Sequence, residues 1–541
     1  MKRLSPLAAA VAIVAAMVVP AVASAAPSKL TNWSPARTDT SASGKWQSVA
    51  VNPKNGNQLV VMSEYSVYAQ TRYTAGIWDE NSTQVGSLTT ILAPPDTDST
   101  YATPVGAYNP KTGGWLVVSW NATEDDYQAQ LLNANGTLSG SPQIISADPD
   151  TCCGHNPDIV WDSAKQQFFV AWADYGNFGG GPGQPQGRFV NPTTAAPIGS
   201  APIDLVTNQA DFVWDDYHSM QIAYSTKQDG FGVMFRGKLQ TGGYWRPYFL
   251  RLDSDGQPIG TAVTIPSGAN GEITNGSIAY SKASDRYAVA WSDYTATPLA
   301  PVLVQLFDAT NGNAIGSPVS QPVPADATSN RLRIHISADE YGSGYAITST
   351  SDNDTTGTKA AYALWLDADA QPVGTPGWIS DGVFDAVRPQ IAFDGHSGCF
   401  RTTYLASFDI TEQDYNVYSS RFGTSSLAED DCSKPPSGKK KPSLKKAGTA
   451  GATSLRVKVG CGGASACRIK LSGKLKVGSG KLEGKTFKVK AGKKKTVTLG
   501  YTGDLISQLR GRSGAKIKVS AKQVGGKSRT ITVRVPDSVT G

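Results

Sequence analysis

A motif of about 57 residues recurs seven times between Gln47 and Phe422, and this repeat limits the architectures open to the chain. In its clearest copies a short apolar run and a polar turn precede a second apolar run, as in Ile278–Tyr280 and Tyr287–Asp293. The last residues of the first runs align as follows: Val51, Tyr108, Trp161, Tyr224, Tyr280, Ile336 and Phe393. Copies of this length are typically single supersecondary units that bury their apolar faces against one another.

Each copy has the pattern of four strands. In the fifth copy, two apolar runs that end at Tyr280 and Trp291 are followed by an alternating run, Val302–Phe307, and by a weaker one around Val319. Gly, Asn, Asp and Ser separate these runs, which are too short for helices. Four antiparallel strands repeated seven times predict an all-β fold, a seven-bladed β-propeller over residues 26–432. We expect Trp120, Trp172 and Trp291 to fill the space between neighbouring blades.

The phase of the repeat predicts how such a ring closes. The seventh copy ends at Phe422 without a fourth strand, whereas Leu30–Ser34 precede the first copy as an extra strand-like segment. A last blade that takes a strand from the other end of the chain leaves fewer free strand edges. We therefore expect residues 30–34 to complete the last blade.

Residues 1–25 have the pattern of a signal peptide. Lys2 and Arg3 precede an apolar run from Leu7 to Val19, and Ala23–Ala25 supply the small residues of a cleavage site. An uncleaved membrane anchor is the alternative, but the run is short for a bilayer span and no second apolar segment follows. We expect a secreted, extracellular protein, free or associated with the cell envelope, without a transmembrane segment after cleavage.

Charge divides the chain into two bodies. Residues 433–541 hold 27 lysines and arginines and three acids, hence a formal charge of +24, while residues 1–432 hold 23 and 41, hence −18. Residues 433–444 combine Pro, Ser, Gly and Lys and are predicted to be a linker. Alternating apolar and charged residues over 445–541 predict a basic, Ig-like β-sandwich. Its excess charge favours attraction to anionic polymers, with packing against the acidic body as the alternative.

Two loops that lead from one copy to the next differ from the others. They hold two of the four histidines, several aspartates and the adjacent Cys152 and Cys153. Carboxylates and Asn carbonyls suit Ca²⁺, and His with thiolate suits Zn²⁺, although neither loop has a known ligand spacing. Ordinary loop structure is the alternative to a binding site. The candidate ligand-binding residues are Asp148, Asp150 and His155 in one loop and Asp211, Asp215, Asp216 and His218 in the other.

Six cysteines in an exported protein suggest disulfides. Cys152 and Cys153 suit a vicinal disulfide better than a metal site in oxidising surroundings. Cys461 and Cys467 flank a turn-like pentapeptide and suit a local bridge. Cys399 and Cys432 remain, and a bridge between them is expected to fasten the last blade to the chain that leaves it.

No sequence motif of a known catalytic class is present. The chain lacks a Ser-x-Asp-x-Gly-x-Thr-Trp box, a Gly-x-Ser-x-Gly elbow and a His-Glu-x-x-His helix. A pair of aspartates can still act as general acid and base, because their pairing is a spatial fact. Six scattered arginines can converge on a carboxylate ligand: Arg236, Arg246, Arg251, Arg331, Arg333 and Arg388.

The segments 389–393, 287–293 and 249–260 resemble the blade repeat of secreted bacterial β-propeller proteins, and the basic C-terminal region is similar to Ig-like modules appended to exported bacterial proteins. The resemblance implies a fold and no catalytic residue. We therefore expect a binding or envelope-associated protein whose partner is a glycan, a small molecule, a protein or an anionic envelope polymer. The alternative is a carbohydrate-active hydrolase or lyase that uses carboxylates on the channel face of the propeller.

Overall fold

The computed structural model divides the chain into two compact units, Met1–Ser433 and Lys434–Gly541. The predicted signal peptide lies outside the described residues. Among the residues that the structure describes, no helix is long and apolar enough to cross a membrane; the helix they contain is Gly503–Leu509. The structure describes residues 28–29, 43–65, 72–92, 103–121, 124, 126–146, 157–174, 184–206, 212–214, 220–239, 246–266, 273–293, 301–330, 333–353, 355–380, 385–407, 416–428, 432–433, 443–446, 454–460, 467–475, 481–482, 484–490, 493–509, 515–523 and 528–534.

Strands β1 to β30 of the first unit form seven antiparallel sheets within the described residues. Strand β1 is Ser28–Lys29. The first sheet contains β2 (Ser43–Val51), β3 (Gln58–Tyr65), β4 (Arg72–Trp78) and β5 (Thr89–Leu92). The second contains β6 (Val105–Tyr108), β7 (Trp115–Asn121), β8 (Asp126–Leu132) and β9 (Leu138–Ile144). The third contains β10 (Asp158–Asp162), β11 (Gln167–Asp174), β12 (Gln184–Val190) and β13 (Pro197–Asp204).

The fourth and sixth sheets have five strands each, because two separate inner segments pair with the same second strand. The fourth contains β14 (Phe212–Trp214), β15 (Gln221–Ser225), β16 (Gly230–Leu239), β17 (Arg246–Leu252) and β18 (Pro258–Thr264). The fifth contains β19 (Ile273–Ser281), β20 (Arg286–Asp293), β21 (Val302–Asp308) and β22 (Ala314–Gln321). The sixth contains β23 (Ala327–Asn330), β24 (His335–Ala338), β25 (Tyr345–Asn353), β26 (Thr358–Leu366) and β27 (Pro372–Trp378). The seventh contains β28 (Asp385–Asp394), β29 (Cys399–Ser407) and β30 (Asn416–Phe422), joined by β1.

The sheets pack side by side in a closed ring. The innermost strands β2, β6, β10, β15, β19, β24 and β28 contact one another in chain order, and β28 contacts β2. An apolar cluster lies between each pair of adjacent sheets. The last of these joins the seventh sheet to the first through Leu405, Val417, Val60 and Met62. A ring of radially arranged antiparallel sheets is a β-propeller.

Burial on both faces explains the apolar second strands. In β11, Val170, Ala171 and Trp172 are all fully buried, because neighbouring sheets cover both faces of the strand. Trp120 lies in the cluster between the second and third sheets, and Trp291 in the cluster between the fourth and fifth, as expected. Aromatic side chains of this size contribute much of the apolar area between packed layers.

The N-terminal strand joins the seventh sheet. Ser28 and Lys29 of β1 pair antiparallel with Ser419 and Tyr418 of β30, so the outermost position of this sheet is taken from the other end of the unit. The predicted closing segment, residues 30–34, lies outside the described residues.

The alignment of the sixth copy requires a correction. In the other sheets the aligned residue is followed by an Asn, Asp or Ser that accepts turn hydrogen bonds, such as Asp162 and Asp394. In the sixth sheet that turn residue is Asp339, which accepts from the backbone N–H of Tyr341. The residue equivalent to Tyr280 is therefore Ala338, and the predicted Ile336 lies two positions too early.

The outermost strands carry bulges at glycine. Each bulge coincides with a shift in register against the third strand. Gln305 and Gln130 donate from Nε2 to backbone carbonyls at two of these bulges. Bulges disrupt the ladder on an edge that otherwise invites pairing with another chain. The glycines have positive φ: Gly140, Gly199, Gly260, Gly316 and Gly374.

The second unit is a two-sheet structure around one apolar core. One sheet has the order β31 (Ser443–Lys446), β32 (Ser454–Gly460), β35 (Lys494–Gly500). The other has the order β34 (Lys485–Val489), β33 (Cys467–Leu475), β36 (Lys516–Gln523), β37 (Ser528–Arg534), and α1 (Gly503–Leu509) follows β35. Leu455, Leu471, Leu505 and Val519 from both sheets and the helix belong to the same buried cluster. Strand β31 begins at Ser443, two residues before the predicted start of this domain.

One predicted disulfide is confirmed. Cys399, the first residue of β29, is bonded to Cys432, so the seventh sheet is fastened to the chain that leaves it. Cys152, Cys153, Cys461 and the side chain of Cys467 lie outside the described residues, and the bridges expected there stay predictions.

Candidate functional site

A polar cavity of about 150 Å³ lies at the centre of the ring. All seven innermost strands, or the residues directly before them, contribute to its wall. One residue from each sheet occupies the same place in the repeat, three positions before the corrected alignment residue. We call these residues the channel ring: Ser48, Val105, Asp158, Gln221, Ser277, His335 and Gln390.

Bulges in three innermost strands shift the register just before the channel ring. The register changes between Gly44 and Trp46 in β2, between Ile273 and Gly276 in β19, and between Val387 and Gln390 in β28. A bulge re-aims the side chains that follow it, and bulges are frequent beside functional sites. Ser48, Ser277 and Gln390 then line the cavity.

Asp158 is the carboxylate of the channel ring. Its Oδ1 accepts a hydrogen bond of 2.8 Å from the backbone N–H of Ile159, and its Oδ2 accepts one of 2.8 Å from Ile222 on the neighbouring innermost strand. Burial raises the pKa of Asp158 to about 7, although the two backbone hydrogen bonds act in the opposite direction. This carboxyl group therefore takes up and releases a proton near neutral pH.

His335 is the imidazole of the channel ring. Its Nε2 lies 2.8 Å from Nε2 of Gln390, the next ring residue, so the amide N–H of Gln390 donates to this unprotonated ring nitrogen. Burial, followed by the positive charge of Arg333, lowers the pKa of His335 to about 3. The ring is consequently neutral at physiological pH and serves as a hydrogen-bonding group.

Ser277 connects three innermost strands. Its Oγ donates to Oε1 of Gln221 over 3.3 Å and accepts from the backbone N–H of Ile336 over 3.3 Å. These bonds and the His335–Gln390 contact hold neighbouring ring side chains in fixed orientations.

The opposite part of the cavity wall has unsatisfied polar atoms. Ser48 is 8% exposed and Gln47 is 2% exposed, and neither Ser48 Oγ nor Gln47 Oε1 has a hydrogen-bond partner among the described residues. Ser48 lines the cavity directly. A buried polar atom without a partner costs about 1–3 kcal/mol, so a ligand or water that bonds to it is favoured.

Two arginines, Arg333 and Arg388, lie two positions before the channel-ring residues His335 and Gln390 in the chain. Arg333 lines the cavity. Burial, followed by the positive charge of the nearby Arg388, lowers the pKa of Arg333 well below its ordinary value. Both have left-handed backbone conformations, with φ of 89° and 56°. Non-glycine residues adopt this region rarely, and such residues cluster at functional sites.

The structure brings together only part of the predicted site. Arg333 and Arg388 meet at the channel, whereas Arg251 lies beside Asp253 and Tyr287 in a separate groove between the fourth and fifth sheets. Arg331 lies outside the described residues. So do all seven predicted loop residues, Asp148, Asp150, His155, Asp211, Asp215, Asp216 and His218. In the chain these loops lead directly to Pro157 and Met220, which precede the ring residues Asp158 and Gln221.

The predicted calcium site stays a prediction. Among the described residues there is no group of three His, Cys, Asp or Glu side chains that could hold a metal ion. The carboxylates proposed as ligands belong to the loops just named.

The channel ring is not among the residues predicted from the sequence. The available signal is the repeat itself, since this position varies in chemistry from copy to copy: a hydroxyl in two, an amide in two, and a methyl-bearing side chain, a carboxyl and an imidazole in one each. A position that faces the core of every interface is apolar throughout, whereas a position that faces a channel is free to vary.

Comparisons with known proteins follow this geometry. No protein-family model matches the chain, and no curated protein matches it in sequence. Among solved structures, an alpha-L-arabinanase from Penicillium chrysogenum is similar with a TM-score of 0.38 at 10% identity, covering 70% of this chain and 93% of that chain. The β-propeller domain of the trilobed protease from Pyrococcus furiosus has a TM-score of 0.38 at 9% identity, covering 72% and 98%. An alpha-L-arabinofuranosidase from Clostridium thermocellum has a TM-score of 0.32 at 12% identity, covering 60% and 92%. Likenesses this distant carry no information on ligand or reaction.

Proposed function

We propose that the protein is an exported seven-bladed β-propeller that binds a small polar ligand, such as one sugar unit of an extracellular glycan, in its central channel. The observation that carries the proposal is the channel ring, in which six of seven residues are polar and the buried hydroxyl of Ser48 has no partner in the part of the chain that the structure describes. Hydroxyls, amides, a carboxyl and a neutral imidazole offer both donors and acceptors, which suit the hydroxyl groups of a sugar.

The size of the cavity limits the ligand. At about 150 Å³ it is smaller than the ~300–1,000 Å³ of sites for drug-sized molecules. A single sugar unit, free or at the end of a glycan, is a suitable occupant.

We further propose that the second unit is a basic Ig-like β-sandwich that associates with anionic envelope polymers. Strand order supports the fold: β32 pairs with β31 and β35 in one sheet, while β33 pairs with β34 and β36, and β36 with β37, in the other. A three-stranded and a four-stranded sheet over one core is an arrangement of Ig-like sandwiches. The formal charge of +24 in residues 433–541 supports the partner.

A glycan array followed by calorimetric titration tests channel binding. Gln390→Leu removes the hydrogen-bonding amide at nearly constant volume and should weaken binding of a captured sugar about tenfold, the cost of one or two hydrogen bonds. Gln228→Leu is the matched control, because Gln228 lies in the turn between β15 and β16, where its amide donates to Asp285, and this variant should bind like the parent protein. Capture of no glycan, or equal losses from both variants, contradicts the proposal.

A hydrolase or lyase is the second candidate, and Asp158 is the observation that favours it. A carboxyl group whose pKa is about 7 suits general acid or base catalysis at neutral pH. This candidate is supported if the parent protein turns over the captured glycans, and if Asp158→Asn lowers the turnover rate at least about a hundredfold while it still binds them. Binding without turnover supports the first.

A further inference from the structure

The outer face of the four-stranded sheet in the second unit concentrates positive charge. On β33 and β36, alternate residues point inward and are fully buried, such as Ile469, Leu471 and Val519. The described side chains between them point outward, and all except the half-buried Ser520 are exposed. We call the cations among them, with one from β37, the lysine face: Lys470, Lys474, Lys516, Lys518, Lys522 and Arg534.

The register places like charges directly opposite one another. Lys470 pairs with Lys522 and Lys474 with Lys518 across β33 and β36, and Lys516 pairs with Arg534 across β36 and β37. Like charges in directly opposite positions destabilise an antiparallel sheet. Solubility alone does not require that arrangement, because the same lysines spread over the surface provide the same net charge.

The lysine face has no internal neutralisation within the described residues. Asp504 is the one described acid of the second unit, and every ion pair among described residues lies in the first unit. Residues two and four positions apart along a strand are separated by about 7 and about 13 Å, so the facing pairs of cations recur along β36 as a lattice with about those spacings. A lattice of this kind matches an extended chain with regularly spaced anionic groups.

The other described side chains on this face limit the class of partner. On the same three strands they are hydroxyl residues: Ser472, Ser520, Thr530 and Thr532. The face presents no aromatic ring on which a nucleic-acid base can stack. It presents no large apolar side chain that can enter a bilayer. Lysine ammonium groups with interleaved hydroxyls suit anionic groups on a hydroxyl-bearing chain.

We propose that the lysine face is the docking surface for a linear anionic glycopolymer whose sugar or polyol units carry carboxylate or phosphate groups. This inference rests on the polymer association proposed for the second unit and assigns it to one sheet face. Binding along the lattice replaces the repulsion within each lysine pair by attraction to the polymer, with release of the polymer's counterions.

The test measures binding of the full chain to polygalacturonate and to poly(glycerol phosphate) between about 50 and about 200 mM salt. One double variant, Lys470→Gln with Lys522→Gln, removes a pair from the lysine face. The matched control, Lys458→Gln with Lys494→Gln, removes two exposed lysines from the outer face of the other sheet. The face variant should bind about tenfold more weakly, and its slope of log K against log salt should fall by about 1.4, or ~0.7 for each lost contact. The control should change binding less than about twofold and keep the melting temperature of the parent. The face variant should melt at the same temperature as the parent or slightly higher, because it removes a like-charge pair.

Each other outcome has a definite meaning. Equal losses from both variants mean that overall charge binds the polymer, which overturns the assignment to this face and leaves the proposed association intact. Failure of the parent to bind either polymer at low salt overturns the association as well. Equal or tighter binding of duplex DNA or phosphatidylglycerol vesicles, with the same sensitivity to the face variant, overturns the glycopolymer as the partner. The ratio of affinities for the two polymers distinguishes carboxylate from phosphate as the recognised group.

Discussion

Arg401 and Asp394 form a buried ion pair in the seventh sheet, with 3.0 Å between Nε and Oδ2 and exposures of 2% and 0% for the two side chains. The same guanidinium donates from Nη2 to the backbone carbonyl of Glu80 in the first sheet over 3.0 Å. The contact therefore joins the two ends of the ring. Corresponding bonds link other neighbouring sheets, for example from Arg286 Nη1 to the carbonyl of Ala368.

Loss of this arginine should weaken ring closure. Arg401→Met retains most of the side-chain volume but leaves the carboxylate of Asp394 buried without its cation. Breaking one side of a buried ion pair costs about 3–5 kcal/mol. Urea unfolding followed by tryptophan fluorescence should show a decrease of this size in the free energy of unfolding.

Arg286→Met is the matched control for that experiment. Arg286 also reaches the next sheet, but its ionic partner, Asp369, is 72% exposed. Exposed pairs contribute about 0–1 kcal/mol, so this substitution should have a small effect. Comparable losses from the two variants would show that burial of the Arg401 pair is not what stabilises closure.

The disulfide between Cys399 and Cys432 should stabilise the seventh sheet through the chain it closes. The two cysteines are 33 residues apart in sequence. Closing a loop of this length corresponds to about 3–4 kcal/mol in the chain-entropy model. The double variant Cys399→Ser with Cys432→Ser should lose that amount and become sensitive to proteases after β30. Equal stability of the variant and the parent under oxidising conditions would contradict the prediction, whereas under reducing conditions, which break the bridge in the parent, the two should be equally stable.

The repeat was sufficient to predict the ring but not its phase in every copy. Apolar runs bounded by turn residues identify the second strand of each sheet, because both faces of that strand are buried. In the sixth copy the run through Ile334 and Ile336 suggested an early strand end, and Ala338 carried no apolar signal. The strand end is set by the turn that Asp339 organises, which is a hydrogen-bonding feature and not a hydrophobic one.

The candidate site was harder to predict, for a geometric reason. Chemistry-bearing residues that are close in sequence cluster in the loops around Asp150 and Asp215, and such clusters are what a sequence alone makes visible. The channel ring instead collects one residue from each copy, so Asp158 and His335 meet the same cavity although 177 positions of sequence separate them. Only the fold identifies which position in the repeat faces the channel.

Asp158 should make stability fall as pH rises toward neutrality. Its pKa of about 7 in the folded protein exceeds the ~3.9 of an unfolded aspartate, so the folded state retains a proton that the unfolded state releases. The stability from this group is present below about pH 4 and is lost as the pH rises through about 7. In urea unfolding, the free energy of unfolding of Asp158→Asn minus that of the parent should therefore be larger at pH 8 than at pH 5. Asp255→Asn, at a side chain that is 75% exposed, should show no such difference. A pH-independent effect of Asp158→Asn would contradict the assignment.

His335 should make the stability of the protein fall as the pH decreases into the acid range. Its pKa is about 3 in the folded protein and ~6.5 in the unfolded chain, so the unfolded state takes up a proton first as the pH falls. The stability from the neutral ring is present above about pH 6.5 and is lost toward pH 3. His335→Gln keeps a hydrogen-bonding partner for Gln390 and should shift acid unfolding, followed by near-UV circular dichroism, to lower pH. His396→Gln, at an exposed histidine, serves as the control, and an equal shift in both would show that histidine charge in general is responsible.

Gly316 isolates the backbone cost of an outer-strand bulge. Its φ is +67°, and a Cβ atom at this position would meet no atom within 4 Å, so steric contact does not contribute. Gly316→Ala should lower the free energy of unfolding by about 1–2 kcal/mol, because the left-handed conformation is unfavourable for a residue with a Cβ. Gly316→Asn should cost less, since asparagine tolerates this region better than alanine does. Equal stability of the glycine, alanine and asparagine proteins in urea unfolding would mean that β22 changes its register to avoid the bulge. Faster amide exchange along β22 would then report its altered pairing with β21.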